Sequence, residues 1–107
     1  MAILEKFSEA LESYNMVLKL DPNDIETLFN KGNIQMELGN YEEAIKSFNN
    51  LLKIDPDDIE TLSDKGKALI KIKKYQEALK CINKALQLDP DFEPALNAKK
   101  EILKSRK

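Results

Sequence analysis

The sequence predicts an all-α solenoid built from repeated helix–turn–helix units, with about six helices. Three observations carry this expectation. Asp-Pro occurs at Asp21-Pro22, Asp55-Pro56 and Asp89-Pro90, each pair 34 residues after the last, and a fixed period of this length marks a stack of supersecondary units. Ile25–Asp58 aligned without a gap to Ile59–Phe92 gives 15 identities in 34 positions. Within each period, apolar residues recur at helical spacing twice, with a break between.

The elements follow in order. Phe7, Leu11, Tyr14 and Leu18 share one helical stripe, which predicts a first helix over 7–20. It ends at Asp21-Pro22, because proline disfavours helix in the residue before it. A second helix, over 24–38, carries Leu28, Gly32 and Gln35 on one stripe with Ile25, Ile34 and Leu38 beside it. Asn23 is the expected cap, with Glu26 three residues later completing a capping box. Gly39-Asn40 offers a residue tolerant of positive φ followed by a turn former. Tyr41, Ala44, Ile45, Phe48, Leu51 and Leu52 then give a helix over 41–54, stopped at Asp55-Pro56. The next period repeats the pattern, with helices over 58–72, capped by Asp57 with Glu60, and 75–88. A last helix is expected over 92–105.

Gly32 and Gly66 stand inside predicted helices, where glycine is less favourable than alanine by about 1 kcal/mol. Their recurrence at the same place in successive periods points to packing. The small residues Ala44 and Ala78, one helix later, are expected opposite them.

Composition removes much chemistry. Among 107 residues there is no histidine, no tryptophan and one cysteine, with 17 basic and 19 acidic side chains, net −2. Without histidine the commonest general base, zinc ligand and pH switch are missing. A single cysteine makes neither an internal disulfide nor a thiolate metal cage. Cys81 has no histidine to activate it and reads as a small, partly buried thiol. Asp55, Asp57 and Asp58 resemble a calcium loop only superficially: its sixth and twelfth positions would be Glu60 and Gly66, not glycine and glutamate. No metal site, cofactor or enzymatic activity is expected. No apolar run reaches a membrane span, and Met1–Lys6 lacks the beginning of a secretory signal, so a cytoplasmic protein without membrane contact is expected. Residues 1–53 carry 5 basic and 9 acidic side chains against 12 and 10 in residues 54–107, too mild an asymmetry for nucleic-acid binding.

The units resemble the tetratricopeptide repeat. Gly32, Tyr41, Ala44, Phe48 and Pro56 match its pattern in one unit, and Gly66, Tyr75, Ala78, Ala85 and Pro90 in the next. Phe7, Ala10, Tyr14 and Pro22 fit the second half of an earlier unit. Ala95 and Leu96 fit a lone first helix, with Lys100 in place of glycine. The departures are Leu28 and Leu62 for the bulky aromatic, Lys31 and Lys65 for the following leucine, and Lys73 for the turn glycine. The resemblance implies a right-handed solenoid forming a single domain over 1–107: a partial repeat at 1–24, repeats at 25–58 and 59–92, and a capping helix at 93–107. In that helix Lys99, Lys100, Glu101, Lys104 and Arg106 surround Leu96 and Leu103.

The resemblance further implies a scaffold for protein–protein interaction, with a groove lined by the first helix of each unit. By register the groove residues are Phe29, Asn33, Met36 and Glu37, then Ser63, Lys67, Ile70 and Lys71, then Asn97, Glu101 and Lys104. Phe29, Met36 and Ile70 would give apolar anchorage, and Lys67 and Lys71, one turn apart, would hold acidic groups of a protein or peptide partner. The family's clamp for chaperone tails is not expected, since its positions read Phe29, Asn33, Asp64, Pro94 and Ala98 and only Asn33 fits. Phe7, Leu11, Tyr14 and Leu18 are expected to face a preceding helix. The chain is then either a piece of a longer array or a self-associating module, a homo-oligomer formed through this edge, with residues 1–4 extending the helix over part of it.

Overall fold

The computed structural model describes residues 2–105, so Arg106 lies outside the described residues. Six helices follow one another: α1 (Ala2–Leu20), α2 (Ile25–Glu37), α3 (Tyr41–Ile54), α4 (Ile59–Lys71), α5 (Tyr75–Leu88) and α6 (Glu93–Ser105). The first helix starts earlier than the apolar stripe predicts, at Ala2 rather than Phe7. Nothing in Ala2–Lys6 breaks a helix, and Ala, Leu, Glu and Lys all favour one.

The turns explain the Asp-Pro period. The Asp21, Asp55 and Asp89 carbonyls accept from the N–H groups of Asp24, Asp58 and Phe92. The Asp21 and Asp89 side chains accept from the N–H groups of Asn23 and Asp91. The helix caps are therefore one residue later than expected. Asp24 and Asp58, not Asn23 and Asp57, accept from the N–H groups of Thr27 and Thr61 at 3.1 and 3.0 Å. Glu26 and Glu60 then fall at the second helical position, and no capping box forms.

Inside each unit the second turn is a left-handed helix ending. Gly39 has φ +80°, with Asn40 N–H donating to the Gln35 carbonyl and Gly39 N–H to that of Met36. Lys73 and Lys74 make the same bonds to Ile70 and Leu69, which forces Lys73 to φ +63°.

The most extensive contacts join α2 to α3 and α4 to α5. Ala44, Phe48 and Leu51 of α3, and Ala78, Ile82 and Ala85 of α5, are fully buried. Large side chains lie nearest the glycines: Phe48 rather than the expected Ala44 at Gly32, and Ile82 ahead of the expected Ala78 at Gly66. A Cβ on Gly32 would run into the Phe48 ring, and one on Gly66 would lie 2.5 Å from Ile82 Cδ1. The Ala78 carbonyl would be 3.5 Å away, a backbone contact. Glycine thus makes room for the ring or branched chain that plugs the hairpin.

Two layers result. The first helices touch in sequence, α2 with α4 and α4 with α6, whereas among the described residues α1 and α3, or α3 and α5, make no such contact. The layer α2–α4–α6 is therefore the inner one, and α1, α3 and α5 splay on the outside.

Two substitutions test these constraints. Gly32→Ala gains helix propensity of about 1 kcal/mol but drives a methyl into a fully buried ring, a kind of overpacking that costs about 1–3 kcal/mol. A net loss of about 1 kcal/mol is expected in denaturant unfolding, and a stabilised protein would refute the close approach. Lys73→Gly removes a left-handed non-glycine residue and should add about 1 kcal/mol, read as a higher unfolding midpoint at unchanged slope.

Candidate binding face

The inner layer places the groove residues expected from the sequence on three consecutive helices. Phe29, Asn33 and Met36 on α2 are half-buried and Glu37 is exposed. On α4, Lys67 is half-buried and Lys71 exposed, and on α6 Asn97, Glu101 and Lys104 are all exposed. Two expectations need correction. Ser63 and Ile70 are buried, at 1% and 6% exposure, so neither offers surface to a partner. The reason is position: α4 touches both α2 and α6 as well as its outer neighbours. Phe29 and Met36, their counterparts one period earlier, have no further first helix beside them among the described residues and stay accessible.

A narrow cleft opens between α4 and the start of α6, lined by Glu60, Ser63, Asp64, Lys67, Phe92 and Pro94. Desolvation here raises the Asp64 carboxyl from its ordinary 3.8 to about 6. Lys67 opposes the rise, while Glu60 and Asp58 add to it. Lys67 thus stands in a partly acidic setting, and Lys71, one turn on, is the freer cation. The closeness of Asp64 to Lys67 and Glu60 is legible in the sequence; its burial is not.

Burial pushes the Cys81 thiol up, with Lys65 and Lys84 opposing and Glu77 reinforcing, the reverse of what a thiolate nucleophile needs. Among the described residues no group of three potential metal-ligating side chains converges, and no helix is long and apolar enough to cross a membrane. Asp57 pairs with Lys84 at 3.8 Å on the surface, a contact worth little.

The edge expected on α1 is partly covered. Phe7, Leu11, Tyr14 and Leu18 are half-buried, since α1 packs on α2. Among the described side chains the large exposed apolar residues of α1 are Leu4, Met16, Val17 and Leu20, and Met16, Val17 and Leu20 line an open groove with Ser13 and Lys19. The register contained the signal: Val17 stands one period before the fully buried Leu51.

Asp64 gives a pH test. Its folded pKa lies above its unfolded value, so between those values the folded state binds the extra proton, and stability falls as pH rises through that window. At pH 7 the carboxylate is charged in both states and burdens the fold. Asp64→Asn should then be more stable than the parent by about 1 kcal/mol, a figure reduced for the solvent that still reaches the group. The gap should close as pH falls towards about 4; a gap that widens on acidification would refute the assignment.

Family models described as tetratricopeptide repeat match residues 2–58 and 35–102. A search of curated proteins found no match. Among solved structures, the first TPR of Spaghetti bound to an HSP90 peptide is 22% identical with a TM-score of 0.89, over 95% of this chain and 81% of that one. A tetratricopeptide repeat protein from Parabacteroides merdae is 28% identical with a TM-score of 0.90, over 98% of this chain. YrrB, a TPR protein with an unusual peptide-binding site, is 28% identical with a TM-score of 0.82, over 92% of this chain. The chain spans 41% and 51% of those last two proteins.

Proposed function

The chain belongs to the tetratricopeptide repeat family, and we propose that it is a non-catalytic, cytoplasmic scaffold whose inner face binds an acidic protein segment with apolar anchors. The observation that carries this reading is the sequence of surfaces along α2–α4–α6. Half-buried Phe29 and Met36 come first, then Lys67 and Lys71, then Asn97, Glu101 and Lys104. Apolar side chains of the partner would rest on Phe29 and Met36, and its carboxylates would meet Lys71 and, against competition from Asp64, Lys67. Similarity to proteins described as peptide-bound or peptide-binding supports the class of partner. A chaperone-tail clamp has no support in the residues: its remaining positions hold Phe29, half-buried Asp64, Pro94 and buried Ala98.

Binding of labelled synthetic peptides that alternate leucine or phenylalanine with glutamate tests this reading. Lys67→Glu with Lys71→Glu should weaken the acidic peptides about tenfold or more, with an effect that shrinks in high salt. Phe29→Ala should weaken acidic peptides that carry apolar residues and spare those that do not. Affinity that is unchanged or higher after the charge reversal would refute the electrostatic half.

A second reading, self-association through α1, draws on the exposed Met16, Val17 and Leu20 and is independent of the groove.

A further inference from the structure

The repeat register relates the open face of α1 to the open face of α6. Helix α1 corresponds to the outer helices α3 and α5, and Ala10, Tyr14 and Val17 correspond to Ala44, Phe48 and Leu51, which are completely buried in the α2–α3 hairpin and its neighbours. No inner helix of its own unit covers α1 among the described residues. Leu20 is accordingly 90% exposed, against 39% for Ile54 and 42% for Leu88 at the same position of the complete units. Helix α6 is the reverse case, an inner helix that no outer helix of its own unit covers among the described residues. Leu96 is 37% exposed where Leu28 and Leu62 are at 3% and 4%. Leu103 is 55% exposed where Gln35 and Leu69 are at 7% and 2%. One end of the chain thus presents half of a hairpin interface and the other end presents the complementary half.

Charge separates in the same way. Residues 1–24 hold Lys6 and Lys19 against Glu5, Glu9, Glu12, Asp21 and Asp24, net −3. Residues 93–107 hold five basic side chains against Glu93 and Glu101, net +3.

We propose that α6 of one copy of this chain docks on α1 of the next, so that copies join head to tail and each junction completes a repeat. This assignment specifies the self-association reading and rests on it. The α4–α5 hairpin shows which groups would meet: Lys65 and Leu69 line one pocket with Glu77, Lys80 and Cys81. At the junction their counterparts are Lys99 and Leu103, one period on, facing Glu9, Glu12 and Ser13 of the next copy. Where Lys80 puts a like charge beside Lys65, Glu12 puts an opposite one beside Lys99. One feature loosens the fit. Lys100 replaces the glycine, and the clash of an added Cβ with Phe48 or Ile82 carries over to Tyr14 of the next copy, whose ring has to turn aside. The junction is therefore weaker than the hairpins within the chain and reversible. A heterologous contact of this kind grows into open chains rather than stopping at a dimer.

Sedimentation velocity of the 107-residue chain over a concentration series tests the proposal, with circular dichroism to confirm that each variant is folded. The expected result is a mass that rises with concentration beyond the dimer and falls with salt. Lys99→Glu, or Glu9→Lys with Glu12→Lys, should weaken association about tenfold, and combining all three in one chain should restore it. Mixing the two weakened variants should give assembly, because each retains one parental end. Lys100→Gly should strengthen association. A chain that stays monomeric at millimolar concentration overturns both the proposal and the self-association reading. A species that stops at the dimer and ignores Lys99 and Lys100 overturns head-to-tail docking alone, since α1 would then pair with α1.

Discussion

How near two antiparallel helices can come within one unit governs the rest of the molecule. At Gly32 and Gly66 the inner helix has no side chain, and Phe48 or Ile82 from the outer helix occupies the space a Cβ would need. That plug makes α2·α3 and α4·α5 the most extensive contacts and leaves the surrounding positions free to vary in matched pairs. In the first hairpin the Ser47 hydroxyl donates to Gln35 Oε1 at 2.7 Å in a buried setting. In the second the same two positions are Leu69 and Cys81, an apolar pair. Either combination satisfies the interior, because a buried polar group needs a partner and two apolar groups need none.

The sequence made the hairpins legible because the signals that define them are local. Asp-Pro stops, Gly39 and the apolar stripes lie within a few residues of the boundaries they set, and α3 and α5 begin and end where those signals place them. The caps were harder, since Asn23 and Asp24 are adjacent acceptors. What decides between them is the turn itself: the Asp21 and Asp55 carbonyls take the Asp24 and Asp58 N–H groups, and the caps fall at Asp24 and Asp58 in both units. Contacts between units were harder still. Ser63 and Ile70 disappear from the surface because α4 is the middle helix of the inner layer, and a single unit's pattern says nothing about how many neighbours it has. For the same reason the open face of α1 extends through the exposed Val17 and Leu20 as well as the half-buried stripe of Phe7, Leu11, Tyr14 and Leu18.

The inner and outer layers divide the work between them. Outer helices contribute the plugs, so their identity is bound to hairpin packing. Inner helices use one side for that packing and carry Phe29, Met36, Lys67 and Lys71 on surface that the plugs do not need. This separation leaves those surface positions free to change without disturbing the contacts that hold each unit together.

The missing contacts between successive outer helices bear on mechanics. With α2, α4 and α6 touching and α1, α3 and α5 held apart among the described residues, bending the array opens or narrows the gaps of the outer layer while the inner layer acts as the pivot line. Such a flexure leaves every hairpin intact, so its stiffness is set by the thinner contacts between units. Were the array to bend along that line, the spacing between Phe29 on α2 and Lys71 on α4 would follow its curvature without the rearrangement of any side chain.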